Sequence, residues 1–285
     1  MTDLDDSCGF VFGVSGEAYV PLAVNAARSL KAVCPDARID LFTDLDPKAD
    51  GLFEQIHMLE RSWFRPKFEA LLRSRFSRTI YLDADMIVVA DPGDIFEVLE
   101  RFDIAVVHNQ HRNSVHAQTI WKRPLPNAFP QMNGGLIGIR KSPAVTRLVE
   151  DLQQAMLDDP DLKVDQAPMR ELLFDSDLRL AILPPEYNLM QVRMTEVQSR
   201  KDTAPRILHL TRLHAHAKGR ERPLTRADQA MGPVLWWNIQ RMLKNDRTLG
   251  GAPDRRFRPL VDRGVTGALQ RAWRKSLKWI WQSFG

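Results

Sequence analysis

Along the first 210 residues, short apolar runs alternate with stretches whose apolar residues recur every three or four positions. Residues 10–14 (Phe-Val-Phe-Gly-Val) form a continuous apolar run, the pattern of a strand covered on both faces. In residues 20–33, Leu22, Ala26, Leu30 and Val33 fall on one face of a helix. A strand at 39–43 ends at Asp44 and is followed by a weaker helix and strand up to Leu59. Pro66 suits the first turn of a helix running to Arg75. Further strands are predicted at 79–82, 86–89, 104–107, 135–139, 180–183 and 206–210, with helices at 143–157 and 164–174. This alternation predicts an α/β domain on a mainly parallel central sheet with helices on both faces. Residues 108–131 break it: they are polar, carry Pro124, Pro126 and Pro130, and predict a long loop of the kind that often carries function. Beyond about residue 223 the pattern is helical only, with Gly250, Gly251 and Pro253 as a linker. The chain thus divides into an α/β domain at 1–222 and a helical extension at 223–285.

Of the 285 residues, 44% are hydrophobic and 27% charged, which excludes wholesale disorder. No run of roughly 18 apolar residues exists to form a spanning helix. The acidic opening Met1-Thr2-Asp3-Leu4-Asp5-Asp6 does not resemble a secretory signal, and two cysteines, Cys8 and Cys34, make no disulfide framework. A cytoplasmic location is the expectation. The net charge of +4 does not suggest a nucleic-acid neutraliser, and no RNA-binding module is recognisable. The charge is uneven, however. Residues 255–285 hold eight basic side chains against Asp262 alone. Leu269, Trp273, Leu277, Ile280 and Phe284 form an apolar stripe there, with Arg271, Arg274, Lys275 and Lys278 mostly off it. Such a helix either closes the domain or lies in a membrane interface, with Trp279 and Trp281 at the acyl boundary. The second reading predicts peripheral membrane contact through residues 265–285.

Candidate chemistry centres on Asp83 and Asp85, which stand where the apolar strand Thr79-Ile80-Tyr81-Leu82 stops. Ligands of parallel α/β sheets bind beyond the carboxyl ends of strands. In extended backbone, positions i and i+2 point the same way, so the two carboxylates repel unless a cation lies between them. A hard divalent ion such as Mn²⁺ or Mg²⁺ accepts oxygen ligands and bridges to phosphate oxygens. The plainer reading is a turn cap and a solvated side chain. A haloacid-dehalogenase-type phosphatase also places Asp-x-Asp after an apolar strand, although on the first strand of its sheet. A binding protein without turnover is the third alternative.

The stretch from Arg78 to Phe96, with its apolar strand, Asp83-Ala84-Asp85 and Asp91-Pro92 before Ile95-Phe96, resembles the retaining family 8 glycosyltransferases, the family of glycogenin and the lipopolysaccharide galactosyltransferases. Other pieces follow in that family's order over residues 10–220. They are Phe12 to Tyr19 with the helix to Leu30, Lys67 before the acidic motif, and Met132-Asn133-Gly134-Gly135-Leu136-Ile137. Asp165-Gln166, Leu183-Pro184 through Tyr187-Asn188, and Ile207-Leu208-His209 complete the series. The resemblance implies a GT-A fold in residues 1–222 and transfer of a hexose from a nucleotide-diphosphate donor, most simply a UDP-sugar, to a glycan or lipid-linked acceptor with retention. It implies Asp83, Asp85 and His209 as ligands of Mn²⁺ or Mg²⁺. Gly13, Val14, Ser15, Tyr19, Lys67 and Ala84 would meet the nucleotide, and Asn133, Gly134 and Gly135 the donor sugar. Asp165 and Gln166 would flank the anomeric carbon. The family's closing His-x-x-Gly-x-x-Lys is altered to His209-Leu210-Thr211-Arg212, leaving Arg212 or Lys218, the nearest lysine, to clamp the diphosphate.

His214 and His216, in a polar basic stretch, read as solvated side chains, with metal binding beside His209 as the alternative. His108, His111 and His116 have no partner at zinc spacing and read as part of an acceptor loop.

Overall fold

The computed structural model describes residues 7–60, 65–159, 161–162, 164–214 and 226–262. His216, Lys218 and the segment 265–285 lie outside the described residues.

Two units are present, Met1–Met190 with Arg206–Thr225, and Gln191–Pro205 with Arg226–Gly285. The first holds a seven-stranded sheet in the order β3-β2-β1-β4-β7-β6-β8. Its strands are β1 (Cys8–Val14), β2 (Ile39–Thr43), β3 (Gln55–Met58), β4 (Arg78–Leu82), β6 (Ile104–His108), β7 (Met132–Arg140) and β8 (Leu180–Ile182). A separate antiparallel pair joins β5 (Met86–Val88) to β9 (Ile207–His209). The α/β expectation holds, and the sheet is mostly parallel: β1–β2, β1–β4, β2–β3 and β6–β8 pair in parallel. β7 is the exception, antiparallel to both neighbours. A loop rather than a crossover helix joins β6 to β7, so the two can run antiparallel.

Inner strands are mostly apolar because both faces are covered. Val11, Tyr81, Ile137 and Val106 lie side by side across β1, β4, β7 and β6. They share a core with Phe68 and Leu71 of α2 (Pro66–Arg73), Leu148 and Leu152 of α4 (Pro143–Asp158) and Met169 of α5 (Gln166–Asp175). Phe10, pointing the other way, meets Phe96 of α3 (Ile95–Arg101) edge-on at 5.2 Å. α1 (Val20–Val33) follows β1 and buries Leu22, Ala26 and Leu30 as its periodicity predicts. The weaker helix expected after Asp44 is not formed; residues 44–54 are turns. Pro47 and the positive φ of Lys48 and Gly51 account for this, since neither backbone setting propagates a helix.

The second unit contains α6 (Ala227–Met231) and α7 (Pro233–Asn245). Ala204, Met242 and Phe257 form its small core. Asn238 Nδ2 donates to Thr195 O at 2.8 Å, and Asp246 Oδ2 accepts from Ala204 N at 2.7 Å. Residues 191–205 thus belong with the C-terminal segment, a union that a linear division of the chain does not express. Among the described residues no helix is long and apolar enough to cross a membrane.

Candidate functional site

Strand direction assembles the site. β4 ends at Leu82, and Asp83 continues the ladder by donating its N–H to Gly135 O at 2.8 Å. Because β7 runs antiparallel to β4, its first residues, Asn133, Gly134 and Gly135, stand at the end of β4 where the acidic pair emerges. The β5–β9 pairing then sets His209 opposite Met86, and Leu210 N donates to Asp85 O at 2.9 Å. A residue more than 120 positions away is thereby fixed beside Asp85.

The potential ligand atoms of Asp83, Asp85 and His209 all lie within 4.8 Å of one another, the one such group of three found among the described residues. Asp85 is 2% exposed. His209 Nε2 stands 3.2 Å from its Oδ1 and His214 Nε2 stands 2.8 Å from its Oδ2. Yet Oδ2 is buried and accepts no aligned hydrogen bond. Burial disfavours the charge on Asp85, but His209 and His214 outweigh it and hold the carboxyl far below its usual range. Asp85 in turn raises the pKa of both imidazoles, overcoming burial at each. The solvated reading of His214 therefore fails, because this imidazole is drawn to the buried carboxylate.

A chain of amides fixes the His209 tautomer. Gly135 N–H can only donate, and it donates to Asn133 Oδ1 at 2.9 Å. Asn188 Nδ2 donates to the same oxygen at 2.8 Å, which leaves Asn188 Oδ1 to accept from His209 Nδ1 at 2.9 Å. The Nδ1 proton is thus committed, and Nε2 presents a lone pair toward Asp85 in the neutral ring. Two acceptors facing each other need a proton or a cation between them. A hydrogen-bonded Nδ1–H is also the arrangement that orients metal-binding histidines. The donor set of two carboxylates with one imidazole, their ligand atoms within 4.8 Å of one another, fits a divalent cation.

Lys67, in the first turn of α2, is 7% exposed. Its Nζ donates to Gly134 O at 2.8 Å and lies 3.0 Å from Asp165 Oδ2 and 3.4 Å from Asp83 Oδ1. Burial would lower its pKa, but Asp165 and Asp83 raise it. Asp165, buried at the start of α5, is in turn kept ionised against burial by Lys67 and Arg65. Tyr81 Oη donates to Asp83 Oδ1 at 2.7 Å, and Gln166 Oε1 accepts from Asn109 Nδ2 at 2.8 Å.

Space rather than conformation favours glycine at two positions, most strongly at Gly135. A Cβ on Gly134 would stand 3.0 Å from Lys67 Nζ, and one on Gly135 would stand 2.6 Å from His209 Cε1 and 2.7 Å from Met86 Cε.

Two clefts meet at this cluster. One of about 580 Å³ is lined by Gly13, Val14, Ser15, Tyr19, Ala84 and the acidic pair. Ser15 Oγ and Gly16 N donate to Asp44, at 2.8 Å and 2.9 Å. The other, of about 280 Å³, is lined by Asn133, Gly134, Gly135, Asp165, Gln166 and His209. Lys67, Asp83 and Asp85 border both. Every described residue expected to meet the metal, the nucleotide, the sugar or the anomeric carbon thus lies at one of the two clefts, whereas His108, His111 and His116 line neither. Arg65, Tyr81 and Met190 also line them but carried no usable sequence signal, and His214, read from the sequence as solvated or as a metal ligand, lines both; Asn188 was visible only as the end of the Leu183–Asn188 segment.

Residues 25–222 match the family described as nucleotide-diphospho-sugar transferase. The chain belongs to this family. No curated protein matches its sequence. Among solved structures, the glycosyltransferase GlyE of Streptococcus pneumoniae TIGR4 superimposes with a TM-score of 0.57 at 16% identity, over 82% of this chain and 60% of its own. The chain therefore spans less than two thirds of GlyE. The galactosyltransferase LgtC, solved with donor and acceptor sugar analogs, gives a TM-score of 0.51 at 14% identity, over 86% of this chain and 98% of its own. These likenesses show the GT-A fold. Membership in a nucleotide-diphospho-sugar transferase family sets aside the phosphatase alternative.

Proposed function

We propose that this nucleotide-diphospho-sugar transferase is a divalent-metal-dependent, retaining hexosyltransferase of the family 8 type, using a UDP-sugar and a glycan or lipid-linked acceptor. The observation that carries the reading is the convergence of Asp83, Asp85 and His209, with His209 Nδ1 held by Asn188 so that Nε2 faces Asp85. Asp83, Asp85 and His209 would hold Mn²⁺ or Mg²⁺. When bound, the cation supplies Lewis-acid charge to the leaving diphosphate.

The chain's own residues do the rest. Lys67 adds a preorganised positive charge at the junction of the two clefts, worth most where charge develops in a water-poor site. Gly13, Val14, Ser15, Tyr19 and Ala84 take the nucleotide side of the larger cleft. Asn133, Gly134 and Gly135 bound the sugar. Asp165, kept ionised by Lys67 and Arg65, offers negative charge to a sugar ring that becomes cationic, and Gln166 orients it. Lys218 and the membrane-surface role of residues 265–285 rest on the sequence alone. Each basic side chain at an anionic surface contributes about 1 kcal/mol, and that supports a peripheral location on the cytoplasmic face.

The test is a thermal-shift screen of nucleotide sugars with and without Mn²⁺, followed by NMR of the product anomer. Stabilisation by UDP-sugars only when Mn²⁺ is present, and an α-linked product from an α-linked donor, are expected. Equal stabilisation without metal, or an inverted anomer, overturns the reading.

A further inference from the structure

A third cavity, of about 280 Å³, lies under the loop between β6 and β7 and is lined by Asn109, Arg112, Gln118, Asn127, Gln131 and Arg170, among others. The loop is pinned in place. Glu171 Oε1 accepts the backbone N–H groups of Trp121, Lys122 and Arg123 at 3.1, 2.7 and 3.3 Å. Arg170 Nε donates to Phe129 O at 2.6 Å, and its Nη2 donates to Pro126 O at 2.8 Å. Gln131 Nε2 donates to Thr119 O at 2.9 Å. The cavity is therefore part of the folded loop.

Its lining is rich in donors. Arg112 donates to Asn127 O at 2.7 Å, and neither it nor Arg170 forms an ion pair with a carboxylate among the described residues. The nearby carboxylate, Glu171, turns its Oε1 to three backbone N–H groups. Burial, partly offset by Glu171, and the like charge of Arg112 hold Arg170 below its ordinary pKa. Two guanidinium groups with carbonyl partners alone suit an anion, and their fork matches phosphate or carboxylate. Gln131 adds a second requirement. It is 2% exposed, and its Oε1 is buried without a hydrogen-bond partner. Such an acceptor calls for a hydrogen-bond donor, which the hydroxyl groups of a sugar supply. An anion that also carries hydroxyl groups satisfies both.

Position gives the role. Asn109 lines this cavity and donates to Gln166, which lines the cleft of the acidic cluster. That hydrogen bond ties the lining of one space to the lining of the other.

We propose that the cavity under the 109–131 loop is an acceptor subsite for an anionic saccharide unit, one bearing a phosphate or a carboxylate, with Arg112 and Arg170 as its charge partners and Gln131 as acceptor for a sugar hydroxyl. The inference rests on the transferase reading above. The full-length protein is titrated, by calorimetry or ligand-observed NMR, with glucose, glucuronate, glucose 6-phosphate and inorganic phosphate, and separately with UDP and Mn²⁺.

At least one anionic sugar should bind about tenfold or more tightly than glucose, and more tightly than inorganic phosphate. The better of the two identifies the anion. Arg112→Gln should remove the preference and Arg112→Lys should restore part of it, with melting temperatures read alongside. Gln131→Leu should weaken the sugar without changing the weak binding of inorganic phosphate. Equal binding of neutral and anionic sugars, or a preference that survives Arg112→Gln in the folded protein, overturns the proposal. Loss of UDP binding in the parent protein would instead strike the transferase reading, so the two failures are distinguishable.

Discussion

Replacing Asn188 by Ala strikes the amide chain that sets His209. Asn188 is 1% exposed and joins Asn133 Oδ1 to His209 Nδ1. Without it, Asn133 Oδ1 keeps the Gly135 N–H, but the buried His209 Nδ1–H has no acceptor. Leaving a buried donor unpaired costs about 1–3 kcal/mol. At about 2–4 °C per kcal/mol for a chain of this size class, the melting temperature should fall by several degrees. The ring is also released to place its proton on Nε2, toward Asp85, where a cation would otherwise sit. Outer-shell partners of this kind are worth roughly 10–100-fold in metal affinity, so the Kd for Mn²⁺ should rise within that range. Asn188→Asp keeps an acceptor for Nδ1–H and should retain most of the affinity, although it loses the bond to Asn133. Free Mn²⁺ counted by electron paramagnetic resonance gives the affinity, and ¹⁵N chemical shifts of the imidazole give the tautomer. Parent-like Mn²⁺ affinity in a folded Asn188→Ala protein, with Nε2 still unprotonated, would refute the relay.

Gly135→Ala drives a methyl group to 2.6 Å from His209 Cε1, so the ring must move; a stability loss of about 1–3 kcal/mol and weakened Mn²⁺ binding are expected from denaturation and titration. Lys67→Met preserves volume but removes the ammonium beside Asp165 and Asp83 and leaves the buried Asp165 with Arg65, 3.9 Å away, at a cost of about 3 kcal/mol, the lower end for breaking a buried pair. Urea unfolding measures this, and a parent-like midpoint would contradict the assigned pairing. Asp103 is held at about 2, first by Arg179 and then, against burial, by Arg140. Because its folded pKa is depressed, its contribution is present above the unfolded value of 3.8 and is lost as the pH falls toward 2. Asp103→Asn should therefore cost about 1 kcal/mol at neutral pH, after solvent screening of its half-exposed arginines, and little at pH near 2.

Much of the fold was legible because buried strands are apolar runs and α1 shows a clean stripe. Residues 44–54 misled because a few apolar residues near helical spacing outweighed Pro47 and Gly51 in the pattern. The direction of β7 was not legible, since periodicity carries no sign. That direction is what brings Asn133 to the end of β4. The acidic pair announced itself through its strand, whereas His209 entered only through family resemblance. Its place depends on the β5–β9 pairing, a contact across more than 120 residues. His214 looked solvated because its neighbours in sequence are polar, while its neighbour in space is the buried Asp85. Glu171 gave no hint of its three backbone donors, because loop N–H groups leave no mark on composition.

The central claim is that Asp83, Asp85 and His209 share one divalent cation at the head of a nucleotide cleft. Anomalous diffraction from crystals grown with Mn²⁺ and UDP tests it directly. The expected result is a single strong peak bounded by the two carboxylates and His209 Nε2, lost on Asp85→Asn. A peak elsewhere, or UDP bound in the cleft with no metal beside these three side chains, would contradict it.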